Sequence, residues 1–490
     1  MSHVAQPMHA EQRNLVLAAC MMATFMAAVE NTIVSTAMPT IVADLGDFHL
    51  FSWVFAVYLL SQAVSIPIYG RLSDLFGRRR VFFAGASLFL LGSTLCGFAQ
   101  GMVSLIVFRA LQGMGAGAVQ PVAYAIVGDI YTPEERAKVQ GVLSGMFGIA
   151  AIIGPTLGAF LVQKVSWSAI FWINLPIGAI AIGMLAAFFQ ERLHPKPPRI
   201  DYLASILLTI GAGSLMLAMI QGRSLDRWML IACIVVGIAA MAILIRHERD
   251  SPAPMLPLRL WSNRIIKLCN FGSFGIGATM MGVAVFLPTY VQGVMGRTAI
   301  VTGIAFGAMS ISWALASAVS GRLMIRAGYR SSAMFGGAML MSGSILLAFM
   351  TPGSGPVWAG AGAFLIGTGM GFCNTTYLVS VQAAAELRDR GAATASNMFM
   401  RTVGQATGAA LFGAMVNAGL THYAPGADEV AEHLMDPALR KTLSPADIDR
   451  FTSAVAASLH NVYVVGAVLG LVVLLIGMRW PSRLRPGSKL

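Results

Sequence analysis

Apolar stretches of about 20 residues, separated by short polar or proline-bearing segments, recur along this 490-residue chain. Each is long enough as a helix to cross a hydrocarbon core roughly 30 Å thick. The pattern predicts fourteen spans, near 15–38, 51–70, 81–100, 103–126, 139–162, 168–190, 201–221, 228–245, 267–291, 300–321, 332–350, 356–380, 395–417 and 459–479. Inside lipid every backbone amide must be bonded within its own segment, so these spans are expected to be helices and the fold class all-α and polytopic.

A repeat at an offset of 251 residues divides the chain. Gly70-Arg71-Leu72 through Gly77-Arg78-Arg79 returns as Gly321-Arg322-Leu323 through Gly328-Tyr329-Arg330, with Ile325 in place of Asp74. Two six-helix bundles from one ancestral unit, with a substrate site at the repeat interface, are the architecture this predicts. Residues 1–190 form the first bundle, 191–266 a linker carrying two extra membrane helices, and 267–490 the second bundle. The segment 418–458 is expected as an acidic outer loop with an amphipathic helix beginning at Ser444-Pro445. It serves as a surface cap or as a docking element.

Composition agrees with a membrane chain, at 57% hydrophobic and 11% charged residues. The net charge of +12 is unevenly placed: alternate segments, taken as the inner side, hold 24 of the 33 Lys and Arg, and the outer loops hold 7. By the positive-inside rule both termini are cytoplasmic, which places the chain as a multi-pass protein of the inner (cytoplasmic) membrane. This asymmetry accounts for the basic balance without nucleic acid. The five cysteines fall in or beside spans with no CxxC pair, so neither disulfide nor metal site is expected. No cleavable signal peptide is expected before the first span.

Two charges lie well inside spans. Glu30 interrupts the first, and a carboxylate there costs about 2.5–3.5 kcal/mol on insertion scales, which marks it as functional. Arg109 lies roughly 9 Å into the fourth span from its outer end, and Glu30 about 14 Å from the outer end of the first. The comparable depths allow pairing, directly or through Gln112, Asn31 or water; the alternative is that Arg109 only bonds backbone carbonyls. Arg401, with Gly404 and Gly408, opens the thirteenth span from the cytoplasmic side; it can pair or anchor at the interface, and it is expected to serve with the motif around Asp74 as part of a cytoplasmic gate. The loop Gly70-Arg-Leu-Ser-Asp74-Leu-Phe-Gly77-Arg78-Arg79-Arg80 suits a latch in which Asp74 bonds the positive end of a neighbouring helix. Residues expected to line a cavity are Phe25, Met26, Trp53, Tyr58, Gln62, Gln120, Phe286, Tyr290, Trp313, Asn374 and Tyr377, because aromatic faces attract lipophilic cations and the 30 methionines adapt to varied shapes.

These motifs resemble the major facilitator superfamily, and within it the fourteen-span drug:proton antiporter branch. The Gly70–Arg80 loop is similar to motif A, with Leu75 for the usual basic residue. Arg109, Gln112, Gly113 and Gly117 match motif B. Gly141, Gly154-Pro155 and Gly158 match the antiporter motif, with Ala150 and Ala159 for two glycines. Trp167 through Gly178 resembles the WxxxFxINxPxG signature, and Glu30 through Pro39 the span-1 motif LDxTIVNVALP, with glutamate for aspartate. The resemblance implies a proton-coupled exporter of lipophilic, cationic drugs by alternating access, with Glu30 and Arg109 coupling the proton. A dedicated exporter of a metabolite, siderophore or amino acid is the alternative. The partners implied are a small-molecule substrate, protons and the bilayer, for a monomer without an adaptor protein or cofactor. No hydrolase, metalloprotease or nucleotide-binding motif is present, so an enzyme is not expected.

Overall fold

The computed structural model describes residues 9–46, 50–191, 201–222, 225–251, 258–297, 299–423 and 444–480, and among these there is no strand. The helices are α1 (Ala10–Leu45), α2 (Phe51–Phe76), α3 (Arg78–Gly97), α4 (Met102–Ile130), α5 (Pro133–Lys164), α6 (Ala169–Trp172) and α7 (Asn174–Phe188). There follow α8 (Tyr202–Gln221), α9 (Arg227–Asp250), α10 (Leu258–Ser262), α11 (Arg264–Thr289), α12 (Ala299–Ala348), α13 (Gly355–Ala384), α14 (Arg390–Tyr423) and α15 (Pro445–Met478). A π-helical turn, Tyr290–Val294, extends α11.

Eleven helices among the described residues are long and apolar enough to cross a membrane, or twelve with the bent pair inside α5 counted as one span. The expected fourteen exceed this number at three places. Lys138–Ala151 and Thr156–Lys164 of α5 are bent by 45° around the Gly154-Pro155 step, as loss of one helix hydrogen bond at proline requires. α12 runs for 50 residues but contains Gly328 at φ 85°, outside helical geometry. α14 is long, at 34 residues, yet too polar to pass as a span by composition. Large side chains on the outer faces of the helices are bare, with Trp228 77% and Val357 83% exposed. Lipid solvates such faces where water would not.

Two compact units divide the described residues. The first takes those within Met1–Cys269 together with Leu378–Phe399; the second takes Asn270–Tyr377 and those within Met400–Arg483. In the first, α3 and α2 both lie against α4 at backbone contact. A Cβ at Gly115 would sit 2.3 Å from the Phe89 nitrogen, and one at Gly113 would sit 2.5 Å from the Tyr58 carbonyl oxygen. Small residues permit such crossings, which in lipid replace hydrophobic burial as the source of helix association. The antiporter-motif helix does the same against α1, where Gly154 faces Thr32 and the Thr32 hydroxyl donates to the Ala150 carbonyl at 3.3 Å.

α8 and α9 pack on each other and, through Ala204, Leu208 and Ala212, on Val64 of α2. Asp201 joins their ends: it accepts from the Ala204 amide at 2.9 Å, from Ser251 at 2.7 Å and from His247 at 2.8 Å. Partial burial works against its charge, but these donors outweigh it and hold the carboxyl below its ordinary value.

Two expected boundaries move. Asp74 lies in the last turn of α2, because that helix continues past Gly70 and stops only at Gly77, whose φ of 94° a side chain would resist. Gly328, its counterpart in the repeat, takes φ 85°. The helix expected at Ser444-Pro445 is real but is not separate, since α15 continues unbroken from Pro445 to Met478. Residues 424–443 of the expected outer loop lie outside the described residues.

Gly115→Ala should lower the stability of the purified protein by about 1–3 kcal/mol, since its Cβ meets backbone. Gly183→Ala on α7, with open space around it, should be neutral or gain up to about 1 kcal/mol in helix propensity. Thermal unfolding of both variants in detergent measures the contrast.

Candidate functional site

The charges foreseen within spans meet inside the first unit. Glu30 on α1 is fully buried and Arg109 on α4 is 1% exposed. Their side chains touch, with Arg109 Nη1 donating to Glu30 Oε1 at 2.5 Å. The same nitrogen donates to Gln112 Oε1 at 2.8 Å, and Arg109 Nε donates to the Val54 carbonyl at 3.3 Å. The guanidinium lies over the Tyr58 ring, 4.0 Å from its centroid. Gly113 makes this possible by letting α4 approach the backbone of α2 at Tyr58 itself. Arg109 is therefore held by an anion on one side and an aromatic face on another.

The other carboxylate oxygen has a partner that the sequence did not disclose. Asn174 at the start of α7 donates from Nδ2 to Glu30 Oε2 at 2.7 Å and to Ser93 Oγ at 2.9 Å. Gln112 Nε2 donates to the same Ser93 oxygen at 3.1 Å, and Ser93 donates onward to the Phe171 carbonyl at 2.8 Å. Glu30, Arg109, Gln112, Ser93 and Asn174 thus close a ring of hydrogen bonds contributed by α1, α4, α3 and α7. Asn174 belongs to the INxPxG stretch, but nothing in that spacing pointed it at Glu30. Ser93 carried no signal at all, being one of many serines in apolar helices.

A second polar cluster forms around the motif A segment, also within the first unit. Asp74 accepts from the backbone amides of Gly391 at 2.9 Å and Ala392 at 2.7 Å, the first-turn donors of α14, so a carboxylate sits at the positive end of a helix. Asp74 also pairs with Arg78, one turn along. Arg78 bonds Ser73 at 2.9 Å and Asp129 at 3.2 Å, and Arg390 reaches the other Asp129 oxygen at 3.2 Å. Glu191 caps α3 by accepting from the amides of Arg78 and Arg79 at 2.8 and 3.0 Å, while the Arg79 side chain donates to the Ala186 carbonyl. Gly70 is what brings the helices together, since a Cβ there would meet Ala395 at 2.2 Å and the Gly391 carbonyl oxygen at 2.9 Å. Asp129, Glu191 and Arg390 were not foreseen, because charged residues at span ends are ordinary.

The residues expected to line a cavity fall in both units. In the first, Met26 and Tyr58 are buried together with Phe89. Phe25 is partly buried against the apolar cluster that contains Val29 and Ile33, and Gln62 and Gln120 are buried on α2 and α4. In the second, Tyr290 donates to the Met350 carbonyl at 2.9 Å, and Tyr377 stacks on Trp480 with centroids 5.3 Å apart. Asn374 accepts from Arg401 at 3.0 Å, so Arg401 and a cavity candidate are one polar pair. Of the other motif positions, Gly117 lies 2.8 Å from the Gln62 carbonyl oxygen by its missing Cβ, and Gly141, Gly154 and Gly158 are buried on α5.

The family model of the Major Facilitator Superfamily matches residues 20–409. The chain belongs to the Major Facilitator Superfamily. It is 33% identical over 461 residues to Multidrug resistance protein 3 of Bacillus subtilis (strain 168), covering 90% of each chain. It is likewise 33% identical over 410 residues to Multidrug transporter protein MdtP of the same organism, covering 83% of this chain and 76% of that one. Among solved structures the human organic anion transporter MFSD10 (TETRAN) superimposes with a TM-score of 0.64 over 94% of this chain and 99% of the other at 14% identity, a likeness of fold. This superfamily member is a multi-pass membrane transporter and not an enzyme.

Removing one partner of the buried pair should be costly. Arg109→Gln strands a carboxylate away from water and should destabilise the protein by about 3–5 kcal/mol. The double variant Glu30→Gln, Arg109→Gln should lose markedly less. A double-mutant cycle on thermal unfolding in detergent measures the difference.

Proposed function

We propose that this transporter is a proton-coupled exporter of lipophilic, cationic compounds that works by alternating access. The observation that carries the reading is Glu30, a wholly buried carboxylate held by Arg109 in the first span of a chain whose relatives are multidrug proteins. A carboxylate at that depth can exchange one proton for one cationic substrate, and its partner arginine keeps the charge tolerable between the two. Protonated Glu30 favours one access state, and the substrate cation competes with the proton for the same carboxylate.

The proposed topology has fourteen spans. α12 would extend about 75 Å as a single helix, far more than the roughly 30 Å core, so it counts as two spans broken at Gly328. The bent α5 counts as one, and α14 counts by its length. An even number leaves both termini on one side, the cytoplasmic side by the distribution of Lys and Arg, and the protein acts as a monomer in the inner membrane. On that topology the bonds from Asp74 to the start of α14 form the cytoplasmic latch. Arg78 and Arg79 belong to it, and Gly70 and Gly77 give it its shape. The second repeat has no such latch, since Ile325 replaces the acid. The bend at Gly154-Pro155 lies against the helix that bears Glu30, which suits a motif tied to export.

Proton release from proteoliposomes on adding ethidium or tetraphenylphosphonium tests the reading. Wild-type protein should release protons and Glu30→Gln should not. With one membrane carboxylate, exchange against a monovalent cation should be electroneutral, so efflux at zero pH gradient should not respond to voltage. Silence in wild type would shift the assignment to a dedicated metabolite exporter, and equal release by both proteins would refute the role of Glu30.

A further inference from the structure

The hydrogen bonds around Glu30 have a direction. Arg109 Nη1 and Asn174 Nδ2 both donate to the carboxylate, and no ring member accepts from it. This arrangement fits the ionised form. A protonated Glu30 becomes a donor and needs an acceptor, and the ring has three oxygens to offer. Gln112 Oε1 already accepts from Arg109 at 2.8 Å and from Cys96 Sγ at 3.7 Å, and reversing that amide would set its NH2 group against the guanidinium. Ser93 Oγ accepts from Gln112 and Asn174 and donates to Phe171. Asn174 has no bond to Arg109, so its amide can reverse without confronting a cation. Besides Arg109 and Asn174, the groups facing the carboxylate are Gln112 from α4, Tyr58 from α2 and Cys96 from α3, so the arginine is its one charged neighbour among the described residues.

We propose that Asn174 is a positioning residue that reads the protonation state of Glu30 by reversing its side-chain amide, and that Ser93 relays the reversal to the Phe171 carbonyl. The inference rests on the proton-coupled reading of Glu30. When Glu30 is ionised, Nδ2 of Asn174 donates to both Glu30 and Ser93. When Glu30 takes a proton, the amide turns, Oδ1 accepts from the new hydroxyl, and Ser93 rotates its own proton from Phe171 to Oδ1. One proton is gained by the carboxylate and no covalent bond other than its O–H is made or broken. The Phe171 carbonyl loses its side-chain donor at the break between α6 and α7 (Trp172 to Asn174), the one place where this pair of helices is interrupted. Protonation of α1 is thereby felt at the start of α7, through two side chains that bind no substrate in this scheme.

Labelling of Glu30 by dicyclohexylcarbodiimide, which reacts with protonated carboxyls in apolar surroundings, tests this without a transported substrate. The full chain in nanodiscs is labelled across a pH series and the modified peptide is quantified by mass spectrometry. Asn174→Leu removes a donor from the ionised form, so half-maximal labelling should move at least one pH unit higher, a tenfold change in proton affinity. Asn174→Asp sets a second carboxylate beside Glu30 and should move it the same way, which keeps the test intact should the leucine variant fail to fold. Ser93→Ala should give a smaller shift, because the direct donor to Glu30 remains. A purely structural asparagine would lower stability and leave the labelling midpoint where it is. Unchanged midpoints in both Asn174 variants, with Glu30→Gln still abolishing drug-triggered proton release, would overturn this inference alone. Labelling of wild type that does not vary with pH would overturn the proton site and the inference together.

Discussion

A carboxylate and a guanidinium enclosed by apolar helices impose conditions on everything packed around them. Neither ion has water to turn to, and each must be matched by donors, acceptors or polarisable faces at bonding distance. Glu30 and Arg109 meet this with each other and with two uncharged polar side chains, Asn174 and Gln112, and Arg109 adds the face of Tyr58. The match works only because α4 approaches both α2 and α3 to backbone contact. The glycines of its RxxqGxga stretch are therefore part of the electrostatics as much as of the packing.

The same logic returns at the helix ends in a different form. Asp74 is satisfied by the free amides at the start of α14 and by Arg78 at the start of α3. The ring around Glu30 is closed on itself, whereas the cluster around Asp74 joins segments far apart in sequence. In the repeat, Gly328 keeps the left-handed turn of Gly77, but a half-exposed Ile325 stands in place of the acid.

Much of the molecule was legible along the chain for a plain physical reason. Lipid forbids unsatisfied backbone, so a long apolar run can only be a helix, and an ionisable residue inside one is conspicuous. Glu30 and Arg109 stood out on that ground, and their comparable depths followed from the helical rise alone. Segment ends were harder to place. α2 runs on through Asp74 because its backbone stays helical until a glycine permits the turn, and the spans expected at 300–321 and 332–350 run together as α12, interrupted at Gly328.

What the sequence determined by itself was therefore the all-helical, multi-pass class, the superfamily and the charges that needed partners. Which partners they found was decided by tertiary structure. Asn174, Ser93, Asp129 and Arg390 are unremarkable where they stand in the chain and acquire meaning only when helices distant in sequence bring them within 3.2 Å of a charge or of each other. Tyr58, expected along a cavity, proved to lie beneath a guanidinium. Hydropathy and spacing report how deep a side chain lies in its own helix. They carry no record of the direction it faces or of which neighbour crosses there, and hydrogen bonds depend on both.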